Sequence, residues 1–188
     1  MINKEMEKGI RAIITHIGED PDRSGITETP KRVIKSWKEL YSGYNKNPED
    51  LLKTFESDSA DQIVLLKNIE MYSMCEHHML PFYGHAHVAY IPNTTGEVIG
   101  ISKLARLVDI YARRMQIQER IGDQVTKALM QHLKPEAAAC IINAKHMCMC
   151  ARGVGKQNSV MTTSSMRGAF FTNRAARQEL MDLINTSS

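Results

Sequence analysis

Any fold this chain adopts has to bring two distant segments together. The first, Cys75-Glu76-His77-His78, sets a thiol, a carboxylate and two imidazoles side by side. The second, His146-Met147-Cys148-Met149-Cys150, adds another imidazole and two thiols. Thiolate and imidazole are the ligands zinc prefers, and Cys75 with His78 has a workable chelate spacing. One thiolate from the second segment would bring the protein ligands to three. Three ligands leave a coordination position open, as in catalytic rather than structural zinc sites. His77 and His146 then stand beside the metal without a ligand role, and spare imidazoles there suit acid–base chemistry near neutral pH.

Disulfides are the competing use of the four cysteines. The start of the chain, Met1-Ile2-Asn3-Lys4-Glu5, opens an amphipathic pattern and not the apolar run of a signal peptide. No stretch is apolar for long enough to span a bilayer, so no membrane partner is expected. A cytoplasmic location follows as the expectation, and there thiols stay reduced and serve metals or catalysis more often than disulfides. The net charge of +3 is too weak, and the 6% aromatic content too sparse, to point to a nucleic-acid partner. A hydrophobic fraction of 43% supplies an ordinary core, and the twelve methionines read as adaptable packing. The expected organisation is an N-terminal helical region over 1–60 and a catalytic domain over 61–188.

Hydrophobic spacing predicts the elements. Ile2, Met6, Ile10, Ile13, Ile14 and Ile17 fall on a helical stripe. Thr29-Pro30 reads as a cap and first turn for a second helix, with Val33, Ile34, Trp37, Leu40 and Tyr41 as its apolar side. A short helix is expected near 48–56. The run from Ile63 to Met74 and the alternation from Tyr83 to Ile91 read as strands. Pro92 to Gly96 reads as a turn whose two flanking strands form a hairpin. Ser102 is expected to cap a helix carrying Leu104, Leu107, Val108, Tyr111 and Met115, and a further helix runs from Gln118 to Leu133. Strands follow over 137–148 and 159–171, then a last helix begins after Asn173. Paired strands around a helix pair indicate an α+β fold with an antiparallel sheet. On the later strand Cys140, Ile142, Ala144, His146 and Cys148 share one face. Parity does not choose between Cys148 and Cys150 as the further ligand.

Several segments together resemble one family. Ser73 to His78, Val98-Ile99-Gly100-Ile101-Ser102-Lys103-Leu104-Ala105-Arg106, Gln116-Ile117-Gln118-Glu119-Arg120, His146 to Gly153 and Thr29-Pro30-Lys31-Arg32-Val33 occur in the order found in GTP cyclohydrolase I. The resemblance covers nearly the whole chain and is weakest over 1–20 and 44–62. It implies the tunnelling fold, an antiparallel sheet with two long helices on one face. It also implies a homodecamer of two face-to-face pentamers with active sites between subunits. The implied reaction opens the imidazole ring of GTP, releases formate, rearranges the ribose and closes a new ring. Its product is 7,8-dihydroneopterin triphosphate, the entry to folate or tetrahydrobiopterin.

Carried over by motif, Cys75, His78 and Cys148 would hold zinc, which would activate water for attack on C8 of the purine. His77 and His146 would transfer protons. Glu119 would bind the guanine edge, where a carboxylate accepts from N1–H and the 2-amino group together, and Gln118 would sit beside it. Arg32, Lys35, Ser102, Lys103, Arg106 and Arg152 would bind the triphosphate. Independently of the family, Ser102 and Lys103 open a helix, where free N–H groups favour an anion. Without the resemblance, Arg32 and Lys35 would read as a solvated helix face. Cys150 departs from the usual pattern and receives no ligand role, and His85 and His87 read as packing or surface residues.

Two other functions were weighed. A nitrile reductase of queuosine biosynthesis shares the architecture but needs neither the zinc set nor the phosphate-binding cations. A closed zinc module for nucleic acid would use four ligands and unfold on chelation. A zinc nucleobase deaminase is set aside, since neither His-x-Glu nor Pro-Cys-x-x-Cys occurs.

Overall fold

The computed structural model describes residues 2–56 and 62–186, so the expected boundary between residues 60 and 61 lies outside the described residues. The chain divides into two compact units, one ending at Ser42 and one beginning at Gly43.

The first unit is a helix pair, α1 (Ile2–His16) and α2 (Thr29–Leu40). Ile10 and Ile14 of α1 pack on Ile34 of α2, with Met6, Ile26, Val33 and Trp37 at the margin. Two residues of the expected stripe lie outside this core: Ile13 is 61% exposed and Ile17 is 71% exposed. Neither falls on the short face that one partner helix covers. Arg11 pairs with Asp22 across the connection. Thr29 is already helical, and Glu28 occupies the cap position without a side-chain bond, while Pro30 sits in the first turn as expected.

The second unit begins with a short helix α3 (Pro48–Leu51) and a strand β1 (Thr54–Glu56), where a single helix over 48–56 was expected. Its centre is a five-stranded sheet. The strands are β2 (Val64–Cys75), β3 (Pro81–Ile91), β5 (Met115–Gln116), β6 (Ala137–His146) and β7 (Met161–Gly168). Their order is β5-β2-β3-β6-β7, antiparallel except for the β5–β2 pair.

The turn at 92–96 does not close a hairpin. Strand β4 (Glu97–Ile99) pairs with β1 in a separate two-stranded ribbon, Thr54 opposite Ile99. Both edges of β3 are already taken by β2 and β6, so the strand beyond the turn has to find another partner. The carboxamide of Asn93 shapes the turn by accepting from the backbone N–H groups of Thr95 and Glu97.

Helices α4 (Ile101–Ala112) and α5 (Gln118–His132) lie on one face of the sheet, as the fold class requires. Leu104, Leu107 and Val108 of α4, with Ile121, Val125 and Leu129 of α5, bury themselves against Met71, Phe82, Ala86, Val88, Cys140 and Ile142. Helices α7 (Ala169–Thr172) and α8 (Arg174–Asn185) cover part of the other face through Phe170 and Leu180, packed on Ala89, Ala137, Ala139 and Ile141. This second cover explains why β6 begins as a continuous apolar run: it is buried on both sides there. Asn173 caps α8 by accepting from the N–H groups of Ala175 and Ala176. Gly100, not Ser102, holds the cap position of α4, and Met115 has left that helix for β5. The strand expected to reach Cys148 stops at His146 and gives way to a single helical turn, α6 (Met147–Cys150).

Candidate functional site

Strand β2 delivers Cys75 to the tight turn that joins it to β3. Inside the turn Cys75 N–H donates to Leu80 O at 2.9 Å, and Met79 N–H donates to Cys75 O at 2.8 Å. Met79 adopts φ +53° to complete the reversal. The fold brings α6 to the same place, because His146 pairs with Phe82 at the end of β6 and α6 follows at once. The ligand atoms of Cys75, His78 and Cys148 lie within 4.8 Å of one another. Cys75 Sγ is 3.9 Å from His78 Nδ1.

The donor set fits a zinc-like ion. With metal–sulfur bonds of about 2.3 Å, two thiolates on a tetrahedral ion stand ~3.8 Å apart, so only a small contraction closes the group. The thiols also call for a cation: burial first, then the neighbouring Cys75, push the Cys148 thiol up. Among the described residues this is the group that could hold a metal, and it contains Cys148 and not Cys150. The Cys150 thiol instead faces the carbonyl of Lys156 at 3.5 Å. All four cysteines are free thiols. Cys140 is buried among apolar side chains, which push its thiol up to about 12.

Two histidines flank the group. His77 is exposed, its Nδ1 4.0 Å from Cys75 Sγ and its Nε2 3.9 Å from the Glu76 carboxylate. His146 is half-buried and stacks flat on Phe82, ring centroids 4.5 Å apart. Burial lowers its pKa, and the nearby carboxylate of Glu119 opposes that shift. Its Nε2 lies 2.8 Å from Oε1 of Gln118. Gln118 is fully buried, and its amide nitrogen, with two hydrogens to give, faces three acceptors, Ile142 O, Met161 O and Thr163 Oγ1. Glu119, next along α5, is exposed. Arg152 reaches the His78 ring, Nη1 to Nε2 at 3.4 Å.

One pair went unassigned in the sequence although both members lie inside quoted motifs. Arg120 grips the Glu76 carboxylate with both guanidinium nitrogens, Nη2 to Oε1 at 2.9 Å. That guanidinium holds the Glu76 carboxyl below its usual range. Glu76 N–H also donates to Gln116 O, so the metal-ligand turn is tied to both β5 and α5. The signal lay in a carboxylate and an arginine at fixed places in two separate motifs. Only their meeting in space gives it meaning.

Ser102, Lys103 and Arg106 do not join this group within one chain. They occupy the start of α4, where Ile99 N–H donates to the Tyr90 hydroxyl and Lys103 Nζ donates to Lys53 O at 2.6 Å. Tyr90 is nine residues along β3 from Pro81, or roughly 30 Å of strand. Ser102 and Lys103 are therefore at the opposite end of the sheet from Cys75 and His146, and Arg106 lies half-way along α4. Arg32 and Lys35 are exposed on α2, in the N-terminal unit. His85 is exposed, and His87 is buried with its Nδ1 accepting from the N–H of Asn68 at 3.3 Å.

Comparison with known proteins gives a consistent result. The family profile described as GTP cyclohydrolase I matches residues 6–185. The chain is 52% identical over 179 residues to GTP cyclohydrolase 1 of Thermobifida fusca, covering 95% of this chain and 86% of that one. It is 53% identical over 177 residues to GTP cyclohydrolase 1 of Wolinella succinogenes, covering 94% of each. A solved archaeosine synthase of the QueF-like type aligns over 57% of this chain and 94% of its own, with 18% identity and a TM-score of 0.44, too remote to inform the site.

Proposed function

The chain belongs to the GTP cyclohydrolase I family and converts GTP to 7,8-dihydroneopterin triphosphate; we propose that it does so at the Cys75–His78–Cys148 group, with zinc as the metal. The observation that carries this reading is the convergence of two thiols and one imidazole from distant segments, with two further histidines beside them. Zinc held there would supply a Lewis acid that makes water nucleophilic near neutral pH.

The chain's own residues do the rest. Glu119, exposed beside His146, is placed to accept from N1–H and the 2-amino group of guanine. His77, open to solvent, is the group able to hand a proton to the purine ring as it opens. His146, whose pKa burial lowers, is the group suited to take a proton during ring opening or ribose rearrangement. Arg152 brings a cation to the same end of the sheet for the triphosphate.

Ser102, Lys103 and Arg106 are the remaining phosphate ligands in this reading, together with Arg32 and Lys35. Ser102 and Lys103 stand at the wrong end of the sheet to serve the metal group of their own chain. Their distance supports an active site shared between subunits, with one chain supplying the metal group and a neighbour supplying the start of α4. The homodecamer of two pentamers is the assembly proposed to make that arrangement. No helix among the described residues is long and apolar enough to cross a membrane, and four free thiols suit a reducing compartment, so the cytoplasm is the proposed location.

The test follows formate and pterin together, from GTP, with and without a strong chelator. Both products should form, vanish on chelation and return with zinc. The circular dichroism spectrum should keep its helix and sheet signal throughout, because the cores on both faces of the sheet are built almost wholly from apolar side chains. Folded, zinc-loaded protein that yields neither product would overturn the reading.

A further inference from the structure

The catalytic reading leaves open which nitrogen of His146 works, and the geometry around Gln118 answers it. An amide nitrogen can only donate and an amide oxygen can only accept. Around the Gln118 nitrogen stand two backbone carbonyls, Ile142 O at 2.9 Å and Met161 O at 3.0 Å, with Thr163 Oγ1 at 3.0 Å. Turning the amide over would set its oxygen against both carbonyls in a site closed to water. The oxygen therefore faces His146 Nε2, at 2.8 Å, and requires a hydrogen there. In the neutral ring the lone pair is then on Nδ1. The flat stack on Phe82 fixes the plane of the same ring. The side chain has no polar atom left for a base edge, although the family pattern set Gln118 beside Glu119 as a substrate residue.

We propose that Gln118 is a positioning residue: its amide oxygen holds His146 as the Nε2–H tautomer, which puts the ring's lone pair on Nδ1. The catalytic use of that nitrogen rests on the activity proposed above, whereas the tautomer does not. The role is of the kind in which a hydrogen bond at one ring nitrogen decides what the other can do.

The experiment uses the whole zinc-loaded enzyme with 15N in its histidine rings, studied by solid-state NMR at about pH 8, where a ring of ordinary or lowered pKa is neutral. A His146→Asn variant identifies the His146 signals by their loss. The wild type should show hydrogen on Nε2 and none on Nδ1. Hydrogen on Nδ1 would overturn the proposal without any variant at Gln118. The second arm is Gln118→Met, of similar length but without donor or acceptor. Zinc content and the KM for GTP should hold, kcat should fall by ~100-fold or more, and the His146 signal should become a mixture of tautomers. A mixed tautomer with unchanged kcat would overturn the positioning role, as would a loss confined to zinc or to KM. An Nε2–H ring in an enzyme that fails to turn over GTP would support the tautomer and overturn the activity on which its use depends.

Discussion

Cys148 and Cys150 lie two positions apart, have the same chemistry and are both half-buried, yet only one belongs to the metal group. The difference is the single helical turn of α6, which turns Cys148 towards Cys75 and His78 and Cys150 towards the carbonyls of Lys156 and Gln157. Cys148→Ser should therefore weaken zinc binding by roughly 3 kcal/mol or more, one ligand's share of the ~10–16 kcal/mol that four-ligand sites bring. Cys150→Ser should leave it unchanged. Competition titration with a chromogenic chelator reads both, and equal losses in the two variants would overturn the assignment of Cys148 alone as the ligand. Strand parity could not separate these residues because it assumed the strand continued. The sequence carries no strong break between His146 and Cys148; the change to helix depends on where β6 runs out of a pairing partner, since Phe82 opposite His146 is one residue from the start of β3.

Among the elements, the start of α5 organises the site. Three consecutive residues there face three ways: Gln118 inward to His146, Glu119 outward, and Arg120 to Glu76 in the metal-ligand turn. The Arg120–Glu76 pair is partly exposed, so water screens it and its worth to global stability is small. Its effect on the turn should be larger. Arg120→Met should lower zinc affinity by about 10–100-fold, the range for partners that orient metal ligands, with little change in the unfolding midpoint. Unchanged zinc affinity in a folded variant would show that the turn is held by its backbone bonds alone. The helices and main strands of this site were legible in sequence, since α5 and β3 carry strong periodic patterns. The pairing of β4 with β1 was not, because a turn signal says that the chain reverses but not whether the preceding strand still has a free edge.

At the scale of the molecule, the two faces of the sheet have different duties. One buries α4 and α5, and the other docks α8 over a bulge between Leu66 and Ile69. Lys67 in that bulge donates to Leu183 O and Thr186 O at the end of α8, a cation placed at the negative end of the helix. His87 lies beside it, bonded to Asn68 N–H and buried. Burial lowers its pKa, and the charges of His85 and Lys67 act the same way. The folded protein thus refuses a proton that the unfolded chain accepts at its ordinary value near 6.5. The stability His87 contributes is complete above that pH and is lost as pH falls through it towards the lower folded value. His87→Gln should flatten the fall in unfolding free energy, read from urea titrations, between pH 7 and pH 5, by at most about 1.4 kcal/mol per pH unit. His146, lowered by burial too, remains in the variant as a second contributor. An unaltered slope would assign acid sensitivity to other groups.

The sequence by itself determined the chemistry that is present: two thiols and an imidazole able to serve as ligands, two further histidines, a carboxylate and a set of cations, all in motifs that match one family. It also determined most of the periodic elements, because amphipathic spacing is a local property that needs no knowledge of partners. Tertiary structure alone decided which thiol lies beside Cys75 and His78, that the buried Gln118 side chain meets His146, and that the start of α4 lies a whole strand's length from Cys75. Each of these depends on which distant segments pair and where a strand stops, and no local pattern records that.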